Sequence, residues 1–235
     1  MVTGGLSTGI LTLASDHEDP LLFNSKIFVA FLVVTLSVYY LLPDRMKVFF
    51  LLLMSYIFYG FWDPALCSLI AISTVVDFFC GRQIDRLTQD HGPEHPHRRR
   101  WLHLSLAVNL GMLGFFKYAD FFIEEFVIAA NFVGLSLQAD DYMLNLILPV
   151  GISFYTFQTM AYTIDIYRQK IKPDASFWRF ALYVSFFPQL VAGPVERAQH
   201  LLPQFSRPFR ISQTMVYTGV FLILLGFVKK VVIAD

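Results

Sequence analysis

The segment "ILPVGISFYTFQTMAYTIDIYR", Ile147 to Arg168, is apolar enough to enter a bilayer yet carries Ser153, Gln158, Thr159 and Asp165. Hydroxyl, carboxamide and carboxyl groups at membrane depth are costly and usually serve a ligand, a partner or a packed neighbour. Phe154, Phe157 and Ala161 form an apolar stripe about one turn apart. Ser153, Tyr155, Gln158 and Tyr162 supply polar positions that cannot all face lipid. Asp165 and Arg168, three apart, can pair on one face. Such a helix is an interior wall, set against protein or a water-filled cavity, and its residues alone do not make an active site. Asp77 lies near the end of another apolar run and is expected to pair with the nearby Arg82. Asn109, followed by Gly111 and Gly114, is expected at a close helix contact with an interhelical hydrogen bond. The stretch "QDHGPEHPHRRR" brings His91, Glu94, His95 and His97 together, but the spacing matches no standard zinc site and two prolines disrupt any helical face. It reads as a solvated basic loop. Cys67 and Cys80 sit in apolar runs without a CxxC and read as buried thiols.

The elements that hold these residues follow from composition. Of 235 residues, 56% are hydrophobic and only 15% charged, and the mean hydropathy is +0.55. A soluble domain of this length buries a core without such excess, so the surplus requires lipid. The net charge is zero, and nothing points to nucleic acid. Apolar runs fall near 27–42, 46–62, 65–80, 101–119, 143–164 and 211–233. Each reads as a helix, because backbone in lipid must satisfy its own hydrogen bonds. Several fall short of the roughly 20 residues a bilayer requires. The shorter run 177–192 is broken by Pro188, with Gly193 and Pro194 following, and suits a re-entrant segment. The connections 43–47, 81–100, 165–179 and 194–212 hold fourteen of the eighteen Lys and Arg residues. The positive-inside rule therefore places them in the cytoplasm and the N-terminus outside, with 120–142 as an outer loop carrying an interfacial amphipathic piece. Lys229 and Lys230 do not fit this arrangement. The expected fold is all-α: a multi-pass transmembrane helical bundle in the cell's inner membrane, preceded by a polar extension over residues 1–20 that lacks signal-peptide character.

Several motifs, in order along the chain, resemble the membrane-bound O-acyltransferase family. They are "LLFNSKIFVAFLVVTLSVYYLLP", "LLLMSYIFYGFWDP", "NLGMLGFFKYADFF", "LPVGISFYTFQTMAYTIDIYR", "FALYVSFFPQLVAGPVERAQHLLPQF" and "GFVKKVVIAD". They resemble most the bacterial branch that acetylates exported polysaccharides such as alginate. The resemblance implies transfer of an acyl group from a cytoplasmic thioester donor, acetyl-CoA or another acyl thioester, to a polysaccharide beyond the membrane, with extracytoplasmic partner proteins. It implies no resident cofactor or metal. Under it Ser153, Gln158 and Asp165 line or brace the cavity. Gln189, Gly193, Pro194 and Glu196 shape the donor entrance, against a plainer role in helix capping and loop stiffness. The family's catalytic histidine stands in a Trp-His-Gly context that none of the six histidines here shares. No catalytic residue is therefore assigned. Residues 21–235 are expected to be the N-terminal part of such a domain, truncated and inactive alone, because acyl transfer requires a base at the acceptor oxygen. The other function classes are a non-catalytic membrane scaffold of a polysaccharide export complex and a transporter.

Overall fold

Local signals set the helix ends. In a computed structural model, which describes residues 25–61, 64, 67–134, 137–138, 142–144, 151–190, 196–206 and 212–229, all regular structure is helical. Helix α1, Lys26–Leu41, starts where the Ser25 hydroxyl accepts the Phe28 N–H at 3.0 Å and stops ahead of Pro43. Helix α2, Asp44–Gly60, takes Pro43 as its N-cap residue, with Asp44 in the first turn paired to Lys47 at 2.7 Å. Helix α3, Cys67–His91, continues past its apolar run until Gly92, whose φ of 86° ends it. Helix α4, Pro96–Phe132, has proline at its first position and runs 37 residues, about 55 Å. Helix α5 is Ile152–Tyr167 and begins at Gly151 in the left-handed conformation, φ 78°. Helices α6, Phe177–Ser185, α7, Phe187–Leu190, and α8, Ala198–Ser206, are short. Helix α9 is Gln213–Val228, capped by Ser212.

Two units result. Residues 43–209 form one, and residues 1–42 with 210–235 form the other. In the second, α9 has no buried residue and exposes Tyr217, Phe221, Leu222, Ile223 and Leu224. A helix that is apolar all round and unburied belongs in lipid. In the larger unit α3, α4 and α5 pack together, α6 lies on α2 and α3, and α8 covers α6. Its core is aromatic: the Tyr162 and Phe180 rings lie 4.4 Å apart, and Phe78 packs on Phe177 at 5.2 Å. Helices α3 and α4 are long and apolar enough to cross a bilayer. The protein is a helical membrane protein, as its composition requires.

Several expected boundaries move. The 81–100 connection shrinks to four residues, 92–95, because its polar residues are helical on both sides. The expected outer loop 120–142 is helical through Phe132. Of the run expected from Met143, α5 takes up 152–164, and residues 145–150 lie outside the described residues. The break expected in 177–192 falls at Phe186, between α6 and α7. At nine residues α6 is too short to span, in keeping with a re-entrant segment. The stripe Phe154 and Phe157 is exposed, so it meets lipid while the opposite face of α5 meets protein. Cys80 is buried and Cys67 half-buried. The polar extension 1–20, Gly193, Pro194 and Lys230 lie outside the described residues.

Candidate functional site

Two polar constellations sit inside the larger unit. In the first, Ser73 and Asp77 on α3 are one turn apart, as are Ser105 and Asn109 on α4, so each pair faces the same way. Ser105 Oγ donates to Asp77 Oδ1 at 2.5 Å, and Asn109 Nδ2 bridges both carboxyl oxygens at 3.0 and 2.8 Å. Ser73 Oγ donates to Asn109 Oδ1 at 2.6 Å, where Thr159 Oγ1 from α5 also donates at 3.2 Å. All five side chains are buried. The interhelical hydrogen bond expected of Asn109 is present. The expected pair between Asp77 and Arg82 is not: Asp77 turns into the helix junction, and Arg82 stacks over the Phe78 ring at 5.3 Å. A side chain added at Gly111 or Gly114 would meet open space, so the contact on this face comes from Ser105 and Asn109.

The second constellation joins α5 to the broken segment. Gln158 Nε2 donates to the Tyr183 carbonyl at 2.8 Å, and Gln189 Nε2 donates to Gln158 Oε1 at 2.7 Å. Tyr183 Oη donates to the Glu196 carbonyl at 3.2 Å. The N–H of Phe187, at the break between α6 and α7, donates to Ser55 Oγ on α2 at 3.2 Å. Gly151 completes the junction, since a Cβ there would lie 2.3 Å from the Leu190 carbonyl oxygen. Helices α2, α5, α6 and α7 are thus tied to one another by carboxamides, a serine hydroxyl and one bare Cα. Gln158, expected to line or brace the cavity, and Gln189, expected at the donor entrance, are both buried and hydrogen-bonded to each other. Ser153 and Asp165 are half-buried and Glu196 is exposed. Asp165 pairs with Lys170 at 3.9 Å rather than with Arg168, because α5 stops at Tyr167 and the chain folds back through the Lys170 N–H to the Asp165 carbonyl at 2.9 Å.

The basic residues gather at one end of this unit. Phe49, near the start of α2, packs on Trp178 at 5.2 Å. Arg98, at the start of α4, is buried; it donates to the Tyr167 carbonyl at 2.6 Å and to that of Pro93, with its guanidinium 4.7 Å from the Tyr167 ring. A cation on the last carbonyls of α5 also suits the helix dipole. Two clefts flank the strap Pro173–Ala175: one of about 640 Å³ beside Lys170, Lys172 and Arg179, the other of about 460 Å³ beside Arg82 and Arg86. Asp174 fixes the strap. Its Oδ1 accepts the Ser176 N–H at 2.7 Å and Arg179 at 2.7 and 3.1 Å, and its own N–H donates to Tyr162 Oη at 3.2 Å. At the α3–α4 turn, the His91, His95 and His97 rings stand 4.7 and 5.0 Å apart in a row. Desolvation, together with the two flanking imidazoles, lowers the His95 pKa from its ordinary value. Among the described residues, no imidazole hydrogen-bonds to Asp77 or Gln158.

No family model and no solved structure matches the chain. Curated proteins do. The chain is 35% identical over 217 residues to the probable alginate O-acetylase AlgI of Azotobacter vinelandii, covering 92% of this chain and 42% of the relative. It is 36% identical to the protein of the same name from Pseudomonas aeruginosa, covering 92% and 40%. Over the matched stretch the chain is similar to O-acetyltransferases of the membrane-bound O-acyltransferase type. A peptidoglycan O-acetyltransferase of Helicobacter pylori is 35% identical over 247 residues, covering 92% of this chain and 45% of the relative. The chain thus spans about two-fifths of the length of the curated relatives it matches. The residues that sequence reasoning missed are Ser73, Ser105 and Thr159 around Asp77, the buried Arg98, and the Asp174–Arg179 pair. The one-turn spacings Ser73–Asp77 and Ser105–Asn109 were the signal available for the first group.

Proposed function

We propose that the protein acts in O-acetylation of an exported polysaccharide, alginate or a related polymer, as all or part of a membrane-bound acyltransferase. The observation that carries this reading is the match across 92% of the chain to proteins named as O-acetylases of alginate and peptidoglycan. The acyl donor is acetyl-CoA or another thioester, approaching the basic end of the bundle from the cytoplasm, and the acceptor lies on the opposite side, where extracytoplasmic proteins present it. The membrane is the cell's inner membrane, with the N-terminus outside. Residues 21–235 correspond to the N-terminal part of the acyltransferase domain.

Within this reading Gln158, Gln189 and the Tyr183–Glu196 bond set the position of the broken segment beside the donor path, and Ser153 and Asp165 edge it. They position; the proton transfer of acyl transfer requires a base, and none of these residues is offered for that role. The chain by itself is expected to transfer no label from an acetyl thioester to alginate in nanodiscs. The test of function is a chimera in which the matched stretch of the Azotobacter vinelandii alginate O-acetylase is replaced by this sequence. Acetylation of the polymer by cells carrying the chimera supports the proposal. A chimera that inserts and accumulates normally yet leaves the polymer bare overturns it.

A further inference from the structure

The cleft of about 640 Å³ beside the strap has a lining that no role described so far uses. Among the described residues that line it are Lys170, Lys172 and Arg179 with Asp174 as the one carboxylate, and Gln199 and Ser206 of α8 add polar groups. The carboxylate does not cancel the cations evenly. Asp174 is committed to Arg179 and to the Ser176 N–H, and its side chain is only 8% exposed. Lys170 reaches Asp165 only at the 3.9 Å limit of an ion pair. Lys172 is exposed and makes no ion pair with a described residue. Two lysines therefore line a space whose wall is already fixed, since the strap is pinned to α5 through Tyr162 and to α6 through Arg179. A preorganised wall lowers the ordering cost of binding, and lysine ammonium groups serve phosphate as compact point charges. The volume lies within the usual range for a small-molecule site, roughly 300–1,000 Å³.

We propose that this cleft binds a phosphate group, with Lys170 and Lys172 as its direct partners and the Asp174–Arg179 pair as the rigid frame. Two molecules at this face carry that chemistry: an anionic phospholipid, for which basic pockets at membrane helix ends are suited, and a soluble phosphorylated thioester donor. Only the second rests on the acyltransferase reading. The experiment therefore reads binding and not transfer, so that failure of one does not imply failure of the other.

The full chain is placed in nanodiscs of phosphatidylcholine alone and titrated with inorganic pyrophosphate. A parallel set of nanodiscs contains phosphatidylglycerol, and thermal unfolding is compared between the two. Lys170→Glu/Lys172→Glu removes the proposed partners, and Arg100→Glu controls for charge elsewhere at the same end. Saturable pyrophosphate binding in neutral discs, weakened about tenfold or more by the double variant and not by Arg100→Glu, supports a soluble phosphate. A stability gain from phosphatidylglycerol that only the double variant abolishes supports the lipid headgroup. Absence of both effects, or equal effects in the double variant and Arg100→Glu, overturns the proposal.

Discussion

At the scale of single residues, the buried carboxyl of Asp77 separates strong from weak expectations. One interhelical hydroxyl bond in a membrane protein contributes about 0.6 kcal/mol, at most about 1.7. Thr159→Ala should therefore lower stability only slightly. Asp77→Ala strands Ser105 and both contacts of Asn109 at once, so its cost should be several-fold larger, which thermal unfolding in detergent would measure; equal costs would refute the network. Glycine offers a second paired test. Gly92 and Gly151 both have positive φ, but a Cβ at Gly92 meets nothing within 4 Å while one at Gly151 meets the Leu190 carbonyl. Gly92→Ala should cost about 1 kcal/mol of backbone strain, and Gly151→Ala clearly more, with loosened packing of α7 seen as faster proteolysis. His95 sets a pH dependence. Its folded pKa is depressed, so the loosened turn binds the proton more readily than the folded one. The turn should be fully held above about pH 6.5, the ordinary value, and weaken as pH falls through the folded value. Amide protection factors over the α3–α4 turn, corrected for the intrinsic slowing of exchange in acid, should fall on acidification in the native protein and not in His95→Gln.

At the scale of elements, Arg98 holds the α3–α4 turn to the end of α5 through two carbonyls and a ring. Arg98→Lys keeps the charge but loses the planar fork, so it should destabilise nearly as much as Arg98→Ala, about 2 kcal/mol by chemical denaturation. Full rescue by lysine would show that charge alone matters. The sequence made the type of every long element legible. Three features were not. Arg82 is five residues beyond Asp77, about 140° around the helix, so proximity in sequence misled where the true partners lie 28 and 32 residues away on α4. Asp165 and Arg168 have helical spacing only if the helix continues, and it ends between them. Charged runs such as Gln83–Asp90 looked like loop, but polarity does not stop a helix in water; the first true breaker is Gly92. Gln158 and Gln189 were found by type, while their mutual bond depended on a fold that brings residues 31 apart into contact.

At the scale of the whole molecule, α4 gives the arrangement in the membrane a single ruler. Arg100 and Glu124 lie on one continuous helix, 24 residues and about 36 Å apart, more than the roughly 30 Å of hydrocarbon. Reporter tags beside them should therefore read opposite compartments, with the arginine end in the cytoplasm. Tags reporting one compartment would remove the orientation and, with it, the donor side assigned to the basic end. The hydrogen-bonded junction of Asp77, Asn109, Ser105, Ser73 and Thr159 has a mechanical corollary. Its donors and acceptors come from three different rods, so any one rod sliding along the others by even part of a turn would rupture the set together. Helices α3, α4 and α5 thus behave as a chassis that resists shear, and whatever gives way during a working cycle must be sought in the short pieces bolted to it.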